Sequence, residues 1–249
     1  MGIFLVLLFG LCVGSFLNVA IFRVHEGDEV VRGRSKCMKC EEPIGPRDLV
    51  PLLSYLVLKG RCRRCKAVVS WQYPVIELIT GLLFVVLYLL HGLEMVLVRD
   101  IVFISYLIII FVYDLRYMYI LDKFTIPAMI FALLANLWLG LVPAWSILVG
   151  GITLSAFFGI QYLVSRGKWV GGGDIRMGAL MGFMLGLTHG LVALFLAYVL
   201  GGLVGAYLLL SGKVDRKTPI PFGTFLAIGT LLMLLSGDFI INWYLGFFV

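Results

Sequence analysis

Long apolar segments are the feature that most constrains this chain. A helix needs roughly 20 consecutive apolar residues to cross the hydrocarbon core of a membrane. About eight segments approach that length, at approximately 2–22, 74–91, 99–113, 124–141, 145–164, 175–188, 190–211 and 219–236. With 61% hydrophobic and 14% charged residues, the chain is neither an ordinary soluble domain nor a disordered one. The sequence therefore predicts an all-α polytopic membrane protein with about eight transmembrane helices.

The distribution of basic residues predicts the orientation. All of the 20 Lys and Arg residues except Arg99 lie in four alternate connections between the predicted spans. The positive-inside rule then places these connections in the cytoplasm and both termini outside. Topology and contact with anionic lipids explain the net charge of +6, so no nucleic-acid partner is predicted. The first segment lacks a basic region and a small-residue cleavage site, so we expect a retained helix and not a signal peptide.

One polar stretch, residues 23–72, separates the first predicted span from the others. It contains two cysteine pairs, Cys37 with Cys40 and Cys62 with Cys65, each with two residues between its members. Two such turns can close a tetrahedral shell of four thiolates, which predicts a zinc-ribbon-like segment with structural zinc. Disulfides or a redox pair are the alternatives, and the reducing cytoplasm disfavours disulfides. The fifth cysteine, Cys12, is expected to pack within the first span.

Two aspartates lie where a membrane disfavours charge. Asp114 ends the third span in FVYDLRYMYILDKFTIP, and Asp174 follows three glycines in KWVGGGDIRMGAL. The predicted topology places both at the cytoplasmic face, where two carboxylates can share a proton. Such a pair can activate water for attack on a peptide carbonyl, one carboxyl acting as base and the other as acid. The alternatives are a helix N-cap for Asp174 and an interfacial ion pair with Arg116 for Asp114.

The other ionisable groups give weaker evidence of function than Asp114 and Asp174. Three further acids lie in or beside apolar segments: Glu77, Asp122 and Asp238. Three groups are predicted on the external side: Asp100 in a connection, and His91 and His189 as isolated interfacial residues. The chain contains neither HExxH nor GxSxG, so zinc-peptidase and serine-hydrolase chemistry have little support.

Five motifs in order resemble those of the bifunctional bacterial prepilin peptidases, also called type IV leader peptidases. They are GSFLNVAIFR (14–23), the cysteine-bearing stretch 34–81, DLRYMYILDKFTIP, GGGDIRMGALMG and PIPFGTFLAIG (219–229). The resemblance covers nearly the whole chain. It implies an eight-span aspartic protease of the bacterial inner membrane in which Asp114 and Asp174 match the catalytic pair.

The resemblance also implies the substrates. They are prepilins or pseudopilins of type IV pilus and type II secretion systems, cut after a glycine that ends a short basic leader. The family commonly methylates the new N-terminal amine with S-adenosylmethionine as donor, and the cysteine-bearing segment is implicated in that step. The expected parts are a first transmembrane helix at 1–22, the methyltransferase-associated segment at 23–72 and a seven-helix peptidase domain at 73–249.

Some positions depart from the family pattern. Arg176 stands where Lys is usual, Leu121-Asp122 replaces Pro-Asp, and residues 33–35 lack a proline often found before the first cysteine pair. Arg keeps the charge of Lys but changes its donor geometry. We expect Asp122 either to attract the basic leader or to cap the fourth span.

The sequence does not identify the residues that take part in methyl transfer. Glu77 is either a packing or a methyl-transfer residue. Four residues in matching motifs are weaker candidates: Asn18, Arg23, Lys59 and Gly60. No glycine-rich nucleotide fingerprint identifies a donor site. Two other functions stay open: a peptidase without methyltransferase activity, and a zinc-ribbon membrane scaffold or transporter whose aspartates relay protons.

Overall fold

The computed structural model describes residues 1–30, 33–215 and 218–246, and these ranges are nearly all helical. The helices are α1 (Gly2–Glu26), α2 (Leu53–Val57), α3 (Gln72–His91), α4 (Met95–Tyr117), α5 (Asp122–Leu139), α6 (Ala144–Ser165), α7 (Gly172–Leu210) and α8 (Phe222–Leu245). Extended pairing within the described ranges is limited to two isolated bridges, which confirms the all-α prediction. Three residues of the predicted charge pattern lie outside the described residues: Arg32, Arg216 and Lys217.

Every described helix except α2 is long and apolar enough to cross a membrane. The 39 residues of α7 would span about 58 Å if straight, nearly twice the thickness of a bilayer core. The helix instead bends at Gly186, whose φ of 75° and ψ of −173° are not helical. A Cβ atom at Gly190 would lie 3.8 Å from the Cα atom of Gly182, so the chain folds back. The two legs, 172–185 and 187–210, correspond to the sixth and seventh predicted spans. Seven of the described helices are long and apolar enough to cross a membrane, which is close to the predicted count of about eight.

The outer faces of these helices carry large apolar side chains. On α6, for example, the exposed fractions of Leu148, Ile152 and Ile160 are 46%, 67% and 62%. Such surfaces are stable in lipid and unstable in water. The protein is therefore a multi-pass membrane protein.

The chain divides into two compact units, Met1–Ile109 and Ile110–Val249, with the division inside α4. In the first unit, α1 packs against α3. A Cβ atom at Gly10 would lie 2.7 Å from the Cα atom of Gly81, and one at Gly14 would lie 2.8 Å from the Cα atom of Glu77. Small residues at these positions let the two helix backbones come together, as is common in membranes.

In the second unit, α7 packs against α5, α6 and α8. Glycines meet where α6 and α7 touch. A Cβ atom at Gly182 would lie 2.2 Å from the backbone nitrogen of Gly151 and 2.3 Å from the carbonyl carbon of Gly150. This close contact holds the first leg of α7, which begins with the GGGD sequence, against α6.

The bend at Gly186 is stabilised by two polar side chains from neighbouring helices. The amide of Asn136 on α5 donates to the carbonyls of Phe183 and Met184 at 2.7 and 3.0 Å. The hydroxyl of Ser146 on α6 accepts the N–H of Leu187 at 3.0 Å. These side chains satisfy backbone groups that the bend deprives of helical partners, which an apolar surrounding requires.

The three groups predicted on the external side, Asp100, His91 and His189, form ion pairs or polar contacts. Asp100 is not in a connection but in α4, where it is 1% exposed and contacts Arg99 at 2.7 Å and His91 at 3.1 Å. His189 contacts Asp238 at 3.1 Å. The hydropathy pattern missed the contacts of His91 with Asp100 and of His189 with Asp238 because each joins residues on different helical segments.

Candidate active site

Asp114 lies near the end of α4 and is 4% exposed. Its Oδ2 atom accepts the backbone N–H of Thr224 at 2.7 Å and the Thr224 hydroxyl at 3.1 Å. Thr224 is in the first turn of α8, whose N-cap is Pro221. The first N–H groups of a helix have no intrahelical acceptors and carry a partial positive charge, so they bind anions well. The start of α8 thus forms a cradle for the Asp114 carboxylate.

Asp174 is held at the start of α7. The N-cap of that helix is Gly171, and Asp174 is its third residue. The Oδ2 atom of Asp174 accepts the N–H of Gly171 at 2.9 Å. Asp174 therefore stabilises the helix start from the third position and not as the N-cap that the sequence suggested as an alternative.

Ile120 connects the surroundings of the two aspartates. A Cβ atom at Gly173 would lie 2.8 Å from Cβ of Ile120, and one at Gly223 would lie 2.8 Å from its Cδ1 atom. The same atom at Gly223 would lie 3.0 Å from Oδ2 of Asp114. The two carboxylates are near enough for their charges to interact. The fold thus brings Asp114 and Asp174 to one site within the second unit, packed around Ile120.

Arg176 and Asp122 form an ion pair across this site. The Nε atom of Arg176 also donates to the carbonyl oxygen of Gly172 at 3.3 Å. Leu121 is the N-cap of α5 and Asp122 is its first residue, without a side-chain cap bond. The interpretation of Asp122 as a cap is therefore wrong. The ion pair instead joins the start of α5 to the turn that carries Asp174.

The four paired cysteines lie on two turns with the same hydrogen bonds. In the first turn, the N–H of Cys37 donates to the carbonyl of Glu42, and the N–H of Glu41 donates back to Cys37. In the second, Cys62, Ala67 and Lys66 repeat these bonds 25 positions later. Glu41 and Lys66 both have positive φ, 54° and 58°. Each turn therefore presents both of its thiols to one side.

The four sulfurs fit a tetrahedral metal ion. Zinc bound to four thiolates at about 2.3 Å would separate the sulfurs by about 3.8 Å. The Sγ atoms of Cys37 and Cys65 are 3.8 Å apart, and all four lie within 4.8 Å of one another. All four cysteines are free thiols in this structure. The cluster can hold one metal ion.

The thiols differ in acidity. Backbone N–H groups of Cys40 and Lys39 lower the pKa of the Cys37 thiol to about 6. The N–H of Glu42 acts to lower the pKa of the Cys40 thiol, but desolvation and the neighbouring thiols raise it to about 11. Four adjacent thiolates repel one another, and a bound cation compensates that repulsion.

The candidates for methyl transfer have structural contacts. Glu77 is 6% exposed and accepts the N–H of Leu52 at 2.8 Å, which ties the segment before α2 to α3. Asn18 is fully buried and donates to the Tyr73 carbonyl at 3.2 Å. Gly60 has φ of 65°, and a Cβ there would lie 2.9 Å from the ring of Tyr55.

Of the two remaining candidates, Arg23 lies in the last helical turn of α1 and Lys59 lies in the turn that follows α2. Arg23 donates to the carbonyls of Val30 and Gly33 at 2.9 and 3.0 Å. Lys59 has φ of 51° and lines an open cleft of about 280 Å³ with Arg61 and Lys66.

Comparison with known proteins gives the family. Residues 8–91 match the Bacterial Peptidase A24 N-terminal domain, and residues 101–206 match the Type IV leader peptidase family. A prepilin leader peptidase/N-methyltransferase of Bacillus subtilis (strain 168) is 35% identical over 96% of this chain and 96% of its own. The chain belongs to the type IV leader peptidase family.

Other members agree with this assignment. Relatives of the same name from Aeromonas salmonicida (strain A449) and Legionella pneumophila are 34% and 31% identical, each over 97% of this chain and over 93% and 94% of their own. No solved structure matches the chain. The family resemblance and the peptidase class predicted from the five motifs are confirmed.

Sequence reasoning missed the residues that hold the dyad. Thr224 and Gly223 lie in the motif PIPFGTFLAIG, to which the sequence assigned no role. Pro221 before an apolar helix was the available signal, because it marks a helix start with free N–H groups. The partner of those groups, Asp114, lies 110 positions away.

Proposed function

We propose that this protein is a membrane-embedded aspartic endopeptidase that removes the leader of prepilins or pseudopilins and then N-methylates the new N-terminus. Family membership supports the class of substrate. The observation that carries the peptidase mechanism is that Asp114 lies against the first turn of α8 and Asp174 lies in the first turn of α7, with Ile120 near the glycines of both turns. A dyad of this kind activates a water molecule for attack on a peptide carbonyl.

The charge pattern supports a site at the cytoplasmic face of the bacterial inner membrane, with both termini outside. A prepilin with an apolar helix and a basic leader can lie in the bilayer while its leader meets that face. The negative charge of the dyad complements the basic leader. No nucleic-acid partner is needed to explain the basic residues.

The cluster of four cysteines supports the proposal that the protein binds a structural zinc ion. Cys37, Cys40, Cys62 and Cys65 would hold it, and a closed four-thiolate shell leaves no coordination position for substrate. When bound, the ion would stabilise the two turns and order the segment 23–72. The peptidase domain would comprise residues 73–249.

S-adenosylmethionine would be the co-substrate of the second step. The neutral N-terminal amine attacks the methyl carbon, the bond from that carbon to sulfur breaks, and the amine then loses a proton. Placing the amine in line with that bond is the main requirement for the protein.

Mass spectrometry of a prepilin co-expressed with the protein tests both activities. Wild type, Asp174→Ala and the matched control Asp238→Ala are compared, since Asp238 contacts His189 and lies outside the dyad. We expect leader removal with wild type and Asp238→Ala, a product heavier by one methyl group, and intact prepilin with Asp174→Ala.

Two outcomes would support the other functions. Leader removal without added methyl mass, by folded and zinc-loaded protein, would indicate a peptidase alone. Intact prepilin in all three samples, with folded protein in the membrane, would contradict the peptidase assignment and favour a scaffold or transporter.

A further inference from the structure

The hydrogen bonds around the dyad are unequal. The Oδ2 atom of Asp114 accepts two donors, the N–H and the hydroxyl of Thr224, at 2.7 and 3.1 Å. A carboxylate oxygen offers about two lone-pair positions. Both positions of Oδ2 are therefore occupied, and this oxygen cannot also carry a proton.

Asp174 accepts fewer hydrogen bonds than Asp114. Its Oδ2 atom accepts the N–H of Gly171 at 2.9 Å, which leaves a second lone-pair position on the same oxygen. Hydrogen bonds from donors favour the ionised form of a carboxyl group. When two neighbouring carboxyls share one proton, the carboxyl with more donors is the one that stays ionised.

We infer that Thr224 is a positioning residue that keeps Asp114 as the ionised base of the dyad and leaves the shared proton on Asp174, the acid. This inference rests on the proposed peptidase function. It assigns the roles of base and acid, which the sequence motifs do not distinguish.

With Asp114 as base and Asp174 as acid, peptide hydrolysis proceeds as follows. Asp114 takes a proton from water as the water oxygen bonds to the scissile carbonyl carbon, and Asp174 gives its proton to the carbonyl oxygen. Collapse of the resulting diol breaks the C–N bond. Asp114 then passes its proton to the leaving nitrogen, and a diol hydroxyl returns one to Asp174. Water and peptide become a carboxylic acid and an amine, and the dyad regains its starting state.

Among the described residues, the titratable groups near the dyad include Tyr198 on α7, which interacts electrostatically with Asp174. From α7, Asp174 faces Asp114, and the first turn of α8 contributes no acidic side chain. On α4 itself, Tyr113 and Arg116 are the titratable neighbours in sequence. Arg176 is paired with Asp122. All of these groups are unchanged when Thr224 is substituted.

The test is the pH dependence of prepilin cleavage by purified protein in lipid nanodiscs. Thr224→Val removes the hydroxyl and keeps the side-chain shape, whereas Thr224→Ser keeps the hydroxyl. Thr230→Val is the matched control, because Thr230 is a fully buried residue of the same helix whose hydroxyl bonds only within that helix, to Leu226.

We expect Thr224→Val to move the acid limb of the kcat profile to higher pH by about one unit, the size of one hydrogen bond to a charged acceptor. Well below the midpoint, kcat then falls about tenfold. KM and the alkaline limb stay unchanged. Thr224→Ser and Thr230→Val should follow the wild-type profile.

Different failures have different signatures. A shift of the alkaline limb alone would reverse the roles of the two aspartates, and an unchanged Thr224→Val profile would refute a role for the hydroxyl. Asp114→Asn is measured alongside. If it cleaved like wild type, the proposed function itself would fail, whereas its inactivity beside an unchanged Thr224→Val would refute only this inference.

Discussion

The contact between α6 and α7 predicts a large effect of a single methyl group at Gly182. In Gly182→Ala, the new Cβ atom would lie 2.2 Å from the nitrogen of Gly151 and 2.5 Å from the carbonyl oxygen of Gly150. Carbon atoms in contact are normally about 3.5 Å or more apart, so the helices must separate by more than about 1 Å. The obstacle is backbone, which has no rotamer to change.

We expect Gly182→Ala to lower the free energy of unfolding by about 3 kcal/mol, the upper part of the range for overpacking. Cleavage should fall as well, because the same leg of α7 carries Asp174 in its first turn. Unfolding in mixed micelles of increasing denaturing detergent measures the first effect, and a prepilin cleavage assay measures the second.

Gly202→Ala is the matched control. It lies on the same helix, and a Cβ atom there would meet nothing within 4 Å. Since Ala is the better helix former by up to about 1 kcal/mol, this variant should be as stable as wild type or slightly more so. Equal unfolding of the two variants would refute the close glycine contact between α6 and α7.

Three other changes test separate parts of the structure. Gly223→Ala would place a Cβ atom 3.0 Å from the Asp114 carboxylate, and we expect cleavage to fall at least about tenfold with little change in detergent unfolding. Asn136→Ala removes two hydrogen bonds at the α7 bend, and the free energy of unfolding in the same assay should fall by about 1–3 kcal/mol. Cys62→Ser should remove bound zinc in elemental analysis and reduce methylation while cleavage continues; Cys12→Ser, outside the cluster, should retain one zinc per chain.

Hydropathy predicted the helices well because lipid leaves few alternatives for the backbone. An apolar chain in a bilayer must satisfy its N–H and C=O groups internally, which a helix does. The bounds of α3 and α6 differ by at most two residues from the predicted 74–91 and 145–164. The predicted break between the spans 175–188 and 190–211 lies a few residues after the bend at Gly186. The polar residues that support the bend, Asn136 and Ser146, could not be predicted, because they are distant in sequence.

The cysteine cluster was predictable for a local reason. A Cys-x-x-Cys turn brings its own two thiols together, so only the meeting of two turns depended on the fold. The polar contacts of Asp100 and of His189 were not predictable in this way. Asp100 was assigned to a connection because a charge normally marks the end of a span, yet His91 and Arg99 beside it allow burial within α4.

The sequence alone determined the membrane helices, the thiol cluster and the candidate aspartates, because each depends on neighbours within a few residues or on burial in lipid. Only the tertiary structure decided how the aspartates are held. Thr224 reaches Asp114 because α8 starts against the end of α4, and Arg176 reaches Asp122 because the first turns of α7 and α5 meet. Such contacts depend on how helices pack, and packing is set by small residues such as Gly223 and Gly182 whose neighbours are far away in sequence.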